Sequence, residues 1–432
     1  MNQSTKRPMR NGLLGEKLSH SFSPQIHRAL VGDRYAYALF ERAPDEVEAF
    51  MKGTDWDALN VTIPYKQTVI PYLDIITDEA RRIGAVNTVT RLSNGQLKGD
   101  NTDYFGFHRT LAACGCDPKG KKALVLGNGG AAATAVTVLS DMGAEVVLIG
   151  RSNRSVGGIV PESYETVYER HPDAEVVVNC TPVGMYPKLI GQAPVELNRL
   201  PHVKAVFDMV YNPARTALLQ EAISLGIPAY NGLLMLVAQA KRASELFLDE
   251  ALDDGLIEPI VSDIARKTEN IILIGMPGSG KSTVGLALSK ALGRPFFDTD
   301  ALIAEDAGRA IPDIFATEGE EYFRALETTA VKKAGMMSGA VIATGGGVVT
   351  QERNYAPLSQ NGKIVFMHRD LKKLPVSGRP ISQANPVEEL YARRLPLYKA
   401  FADVEIDNDG SPENTVQSIL KALGYKSQGG LP

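Results

Sequence analysis

Residues 127–133 read Gly-Asn-Gly-Gly-Ala-Ala-Ala after the apolar run 123–126, and residues 275–283 read Gly-Met-Pro-Gly-Ser-Gly-Lys-Ser-Thr after 271–274. The first stretch is a glycine turn from a strand into a small-residue helix, 131–139, the form that lets backbone approach a pyrophosphate at a helix N-terminus. The second has the spacing of a P-loop, whose amides cradle the phosphates of a nucleoside triphosphate. Two nucleotide sites in one chain predict two reactions.

Working outward, short apolar runs alternate with amphipathic stretches throughout, which is the pattern of βα units and parallel sheets. Strands are expected at 12–15, 37–41, 59–62 and 85–92, with helices at 24–30, 44–52 and 78–83. A second series begins at Lys122 and continues at 145–149, 175–179 and 205–209, followed by a helix over 234–251. A third begins at Asn270. The fold class is therefore α/β: an N-terminal α/β substrate lobe, a Rossmann-like dinucleotide lobe, then a P-loop α/β domain with a parallel sheet. The expected bounds are 1–105 for the first lobe, with helices from about 232–255 packing back onto it, and 106–231 for the second. An acid-rich segment over 249–269, with the linker at 256–269 and its junction near Lys267, and a third domain over 270–425 complete the chain.

Composition excludes several classes. The 432 residues exceed one compact unit, and 44% hydrophobic with 22% charged residues is ordinary globular composition. A net charge of −4 offers no general attraction to nucleic acid or anionic membrane. Cys114, Cys116 and Cys180 form neither a disulfide framework nor a zinc pattern. No apolar run reaches the roughly 18 residues of a membrane span, and the basic start lacks a secretory apolar region. A cytoplasmic enzyme on small molecules is expected; oligomeric state is not encoded legibly.

In the N-terminal half, Gly127, Gly129, Gly130 and Ala131 frame the dinucleotide turn. The next strand ends Ile149-Gly150-Arg151-Ser152-Asn153-Arg154. An acid there would bind ribose hydroxyls, whereas Arg151, Ser152 and Arg154 suit a 2′-phosphate, so NADP(H) is expected. Upstream, His20-Ser21-Phe22-Ser23-Pro24 places two hydroxyls before a helix, either as caps or as carboxylate ligands. The blocks Asn60-Val-Thr62-Ile-Pro-Tyr-Lys66, Gly84-Ala-Val-Asn87-Thr88 and Gly99-Asp-Asn101-Thr102-Asp103 add a lysine, a carboxylate and amide donors, the parts needed to hold a polyhydroxy acid and move one proton. These blocks, with 179–185 (Asn-Cys-Thr-Pro-Val-Gly-Met), 208–213 (Asp-Met-Val-Tyr-Asn-Pro) and 232–239 (Gly-Leu-Leu-Met-Leu-Val-Ala-Gln), make residues 10–250 resemble the shikimate dehydrogenases. The resemblance implies Lys66 and Asp103 as catalytic pair and Ser21, Ser23, Thr62, Asn87, Tyr211 and Gln239 as substrate ligands, with Met185 and Gly232 near the nicotinamide. Gly150-Arg-Ser152 departs from the family's Asn-Arg-Thr.

In the C-terminal half, Gly278, Ser279, Gly280, Lys281, Ser282 and Thr283 would hold ATP, with the Ser282 hydroxyl on Mg²⁺. In Phe297-Asp298-Thr-Asp300, Asp298 could hold Mg²⁺ through water and Asp300 accept the proton of an attacking hydroxyl. Arg324 and Glu327 in Gly319-Glu-Glu-Tyr-Phe-Arg324-Ala-Leu-Glu327 share a helical face, as a surface ion pair or as a carboxylate aiming an arginine at a substrate. A strand then ends in Gly345-Gly346-Gly347, bare backbone for a ligand, and Arg379, Arg393 and Arg394 supply further cations. Residues 270–424 resemble the shikimate kinases. That implies Asp300, Arg324, Gly346, Gly347 and Arg379 on shikimate, Glu327 orienting Arg324, and Arg394 near the adenine. In the lid, 369–377, no counterpart of the family's catalytic arginine is evident, leaving Lys372 or Lys373 as point charges. Together the halves imply NADPH-dependent reduction of 3-dehydroshikimate, then ATP-dependent phosphorylation of shikimate. The alternatives are quinate as substrate of the dehydrogenase half joined to a kinase for another small polyol, or one half serving as a non-catalytic ligand sensor.

Overall fold

The computed structural model describes residues 9–19, 21–189, 191–374 and 386–425. His20 and Arg379, singled out above, lie outside them. The chain divides into two compact units. The first runs up to Val183 and takes in Gln192–Tyr211 and Glu221–Asp263; the second takes in Gly184–Gly191, Asn212–Gln220 and the chain from Ile264.

The first unit holds two sheets. One is mixed, ordered β2-β1-β3-β5-β6-β4, from β1 (Arg10–Gly15), β2 (Ala36–Glu41), β3 (Ala58–Val61), β4 (Ile75–Ile76), β5 (Thr88–Arg91) and β6 (Leu97–Asp100). Strands β1, β2 and β3 run parallel, whereas β5 is antiparallel to both β3 and β6. The second sheet is parallel, ordered β11-β10-β9-β7-β8, from β7 (Lys122–Leu126), β8 (Glu145–Ile149), β9 (Val176–Asn179), β10 (Ala205–Asp208) and β11 (Ala229–Tyr230). The interiors of β7 and β9 are buried on both faces, as parallel strands covered by helices must be. The chain enters at β7, steps to β8 and returns on the other side at β9, so a crevice opens beyond the carboxyl ends of β7 and β9. Residues 127–130 stand at that crevice.

The second unit is a parallel sheet ordered β13-β14-β12-β15-β16, from β12 (Asn270–Ile274), β13 (Phe296–Asp298), β14 (Val341–Ala343), β15 (Gly362–His368) and β16 (Val404–Asp407). All five residues of β12 are buried. Aliphatic clusters cover both faces, one built on Ile272, Ile342 and Phe366, the other on Ile271, Leu273 and Val365. The P-loop, the Asp298–Asp300 turn and the glycine run 345–347 stand at the carboxyl ends of β12, β13 and β14.

Segment 256–269, expected as a linker, is largely the helix Ile257–Thr268. Its acidic residues suggest a solvated tether, but Ile257, Ile260 and Ile264 are buried along one face, and that spacing decides the structure. No helix among the described residues is long and apolar enough to cross a membrane.

Candidate active sites

In the first unit β3 delivers Lys66 just past its end, where the Lys66 carbonyl accepts from Val86 N at 2.8 Å and fixes the backbone. β6 delivers Asp103 as the first residue of the helix Asp103–Ala113. Lys66 Nζ donates to Asp103 Oδ2 at 2.6 Å, with both side chains partly exposed. Asn101 anchors this turn, accepting from Asp103 N at 3.1 Å and donating to Ala85 O at 2.8 Å. Asn87 accepts from Thr102 N at 2.7 Å and from Thr88 Oγ1 at 3.0 Å, which commits its oxygen and holds its amide as a donor. Gln239 reaches the same turn because its helix, Leu233–Leu248, crosses Asp103–Ala113 closely at Gly106. A Cβ there would lie 2.8 Å from Met235 O. Thr102 Oγ1 then donates to Gln239 Oε1 at 3.3 Å.

Ser21 Oγ and Ser23 Oγ are 3.1 Å apart at the start of the helix Ser23–Val31, and neither caps it. Ser21 Oγ also accepts from Ser23 N at 3.2 Å, and Tyr211 packs its ring on Phe22, between the two serines in sequence, at 6.1 Å. Thr62 lies against Gly15, whose added Cβ would come 2.7 Å from Thr62 Cγ2. Sequence reasoning left Tyr37 and Asn60 without roles. Tyr37 donates to Asn60 Oδ1 at 2.8 Å and Asn60 donates to Thr88 Oγ1 at 3.3 Å, a polar chain that runs to Asn87 and Thr102. The signal was present in Asn60, a polar residue inside an otherwise apolar strand.

At the dinucleotide turn Gly129 caps the helix Gly130–Asp141 without a side chain, and Ala131 continues its first turn. A Cβ on Gly129 or Gly130 would meet no atom within 4 Å, whereas one on Gly127 would lie 2.8 Å from Thr181 Cγ2. Exposed amides at a helix N-terminus fit a pyrophosphate. Arg151, Ser152 and Arg154 are exposed on the loop after β8. Asn128, which sequence reasoning passed over, donates to that loop at Ser152 O, Ser152 Oγ and Arg154 O. Gly232 caps Leu233–Leu248, where a Cβ would come 2.3 Å from Met209 O, and Met185 is exposed in segment 184–191.

In the second unit a cavity of about 770 Å³ lies beyond the sheet's carboxyl edge. The P-loop enters it from β12, with Gly278 and Gly280 in the left-handed region at φ 84° and 90° and the helix Lys281–Leu292 following. Buried Lys281 donates to Gly275 O and Met276 O, each at 2.9 Å, which folds it back over the loop. Ser282 Oγ donates to Asp298 Oδ2 at 2.6 Å, and Thr283 lines the same cavity. Among the described residues no group of three His, Cys, Asp or Glu side chains could hold a metal. The hard oxygens of Ser282 and Asp298 suit Mg²⁺ completed by phosphate and water.

Asp298 Oδ1 accepts from Asp300 N at 3.0 Å and so aims Asp300 into the cavity. Burial, then the neighbouring Asp298 charge, push the Asp300 carboxyl up to about 6, against the pull of Lys281. Asp300 Oδ1 and Glu327 Oε1 are buried and make no hydrogen bond. Arg324 donates to Glu327 Oε2 at 2.8 Å and to Glu320 Oε1 at 2.9 Å, and it is buried rather than a surface ion pair. The glycine run of 345–347 is steric. A Cβ on Gly345 would come 2.7 Å from Asp300 Oδ1, one on Gly346 2.5 Å from Pro277 Cδ, and one on Gly347 2.2 Å from Arg324 Nη1.

Arg394 also lines this cavity. Expected near the adenine, it is buried and donates to Gly346 O at 3.0 Å beside Tyr398, on the same cavity wall as Arg324. Its helix, Val387–Phe401, packs its inner face under the glycine turn. Of the two lid lysines, Lys373 lines the cavity and pairs with Asp409 at 3.4 Å, whereas Lys372 does not line it. Arg369 and Asn408 were missed. Arg369 Nη1 would lie 3.2 Å from a Cβ on Gly280, and Asn408 donates to Ser279 O while accepting from Thr415 at 2.6 Å.

Comparison with known proteins finds relatives for both halves. A family model for the shikimate dehydrogenase substrate binding domain matches residues 13–89, and one for shikimate kinase matches 277–424. The NADP(+) shikimate dehydrogenase of Clostridium beijerinckii is 38% identical over 263 residues, covering 58% of this chain and 96% of the relative. A chorismate mutase/shikimate 5-dehydrogenase fusion protein from Clostridium acetobutylicum has a similar structure (TM-score 0.57, 35% identity, 61% of this chain, 99% of that one). The shikimate 5-dehydrogenase of Thermus thermophilus, solved with NADP(H) and shikimate, gives 0.54 at 31% identity, covering 59% and 99%.

Proposed function

The chain belongs to the shikimate dehydrogenase family and carries a shikimate kinase domain behind it, and from that premise we propose how its two sites share one compound. It is a bifunctional enzyme of the shikimate pathway, NADP-dependent in its first reaction and ATP- and Mg²⁺-dependent in its second. The observation that carries the shared substrate is chemical: each site sets a carboxylate, Asp103 or Asp300, beside donors suited to an anionic polyol. Reduction of 3-dehydroshikimate creates the 3-hydroxyl, and the kinase then uses that hydroxyl as its acceptor.

NADPH supplies a hydride, ATP a phosphoryl group, and Mg²⁺ neutralises the phosphate charge. Lys66 delivers a proton to the carbonyl oxygen, and Asp103 holds the ammonium and an adjacent ring hydroxyl. Ser21 and Ser23 take the carboxylate; Thr62, Asn87, Tyr211 and Gln239 surround the ring. Arg151, Ser152 and Arg154 hold the 2′-phosphate, and Gly232 borders the nicotinamide. In the kinase Asp300 accepts the proton of the 3-hydroxyl while Arg324, oriented by Glu327, clamps the carboxylate, with Arg394 and the amides of Gly346 and Gly347 beside it. Lys281 and the amides of 278–283 hold the phosphates, and Lys373 supplies a cation on the lid side. Cys114, Cys116 and Cys180 are unpaired thiols, in keeping with a reducing cytoplasmic setting.

The test is separation of the activities. Lys66→Met should lose about 10²–10⁴-fold in NADPH oxidation while still binding cofactor, with ATP-dependent phosphorylation of shikimate retained. Asp300→Asn should show the reverse. If Lys66→Met turns over at the parent rate, the lysine has no chemical role.

A further inference from the structure

The loop bearing Arg151 and Arg154 is fastened from outside by the Asn128 side chain. Asn128 Nδ2 donates to Ser152 O at 2.9 Å, to Ser152 Oγ at 2.8 Å and to Arg154 O at 3.2 Å. Two of these acceptors are carbonyls, so only the NH₂ end of the amide can face them. The backbones are joined as well, since Gly127 N donates to Ile149 O at 2.7 Å and Gly150 N to Glu162 O at 2.9 Å. Room for the amide comes from Gly150. A Cβ there would lie 3.1 Å from Asn128 Cγ, 3.2 Å from Asn128 Nδ2 and 3.1 Å from Pro161 Cβ, with no slack on either side.

An exposed arginine on a free loop gives little to a phosphate, because ordering it cancels much of the attraction. A loop already held at Ser152 and Arg154 avoids part of that loss. Ser152 Oγ, accepting from Asn128, also keeps its own O–H proton for an anion. A ribose without a 2′-phosphate would gain almost nothing from either effect.

We propose that Asn128, with the space left by Gly150, is a positioning residue for recognition of the 2′-phosphate: it sets the preference for NADP over NAD without touching the phosphate. This rests on the NADP-dependent reading of the first site. The probes are 2′,5′-ADP and 5′-ADP, titrated calorimetrically into the full chain and into Asn128→Ala and Gly150→Ala. The parent should bind 2′,5′-ADP more tightly. Asn128→Ala should weaken 2′,5′-ADP by about 5- to 30-fold, the equivalent of one or two lost hydrogen bonds, and 5′-ADP by less than about twofold. Gly150→Ala, which crowds the amide instead of removing it, should shift the ratio the same way. The NADPH to NADH ratio of kcat/KM should fall in step. Trp56 fluorescence, which reports this unit, separates a misfolded variant from an informative one, and the Gly150 substitution provides an independent arm. A parent that binds both probes equally would overturn the NADP reading. A parent that discriminates, with variants that discriminate just as well or lose both probes equally, would overturn the role of Asn128 alone.

Discussion

His27 is a histidine that the fold keeps from titrating normally. It is buried, accepts or donates at Nδ1 with Tyr35 OH at 2.6 Å, and stacks on Tyr37 at 3.9 Å. Burial lowers its pKa from 6.5 to about 3, against a smaller opposing hydrogen bond from Asn60. In the unfolded chain it titrates near 6.5, so its stabilising contribution is full above that pH and declines as pH falls toward 3. The loss is about 1.4 kcal/mol per pH unit in that window. Trp56 is the chain's one tryptophan, buried in the same unit, so its fluorescence reads that unit's unfolding. The urea midpoint should therefore drop more steeply between pH 6.5 and 5 for the parent than for His27→Gln. Parallel curves would show that His27 takes up no proton on unfolding. Sequence gave no hint of this residue, because burial depends on Tyr35, Tyr37 and Phe247 converging from separate elements.

The strands and their glycine turns were the legible part of the fold. Runs such as 123–126 and 271–274 are continuous and apolar because parallel strands are covered on both faces, and the loops that follow carry the chemistry. The less legible elements failed for physical reasons. β4 and β11 are two residues long, too short to show a period. The helix Asp103–Ala113 contains Gly106 and three aromatic residues, weak helix formers, and Gly106 is needed there by the close crossing at Met235. The glycine turn after β14 makes the dependence testable. Gly345→Ala would drive a methyl group against Asp300 Oδ1 and Glu327 Oε1. Kinase kcat/KM should fall at least about 100-fold, as expected for a displacement near 1 Å. Reduction by NADPH should persist in the same preparation. A variant with unimpaired phosphorylation would show that Asp300 and Glu327 are not held against this turn.

Within the molecule two units each keep their own sheets, two in the first and one in the second. In the proposed function the substrate unites them, a reading that starts from residue types: hydroxyls, amides and a lysine in one half, arginines and an aspartate in the other. The cofactor loop and its Asn128 brace were half legible, since Arg151 could be read from the strand end but its support could not. The direct test follows the hydroxyl itself. The enzyme is given 3-dehydroshikimate, ATP, Mg²⁺ and NADPH deuterated at the transferable position, and the product is examined by NMR and mass spectrometry. One molecule should carry deuterium at C3 and phosphate on the oxygen of that same carbon, with none formed when either nucleotide is omitted. Deuterated product that is never phosphorylated, or phosphate placed on a different carbon, would contradict a shared substrate.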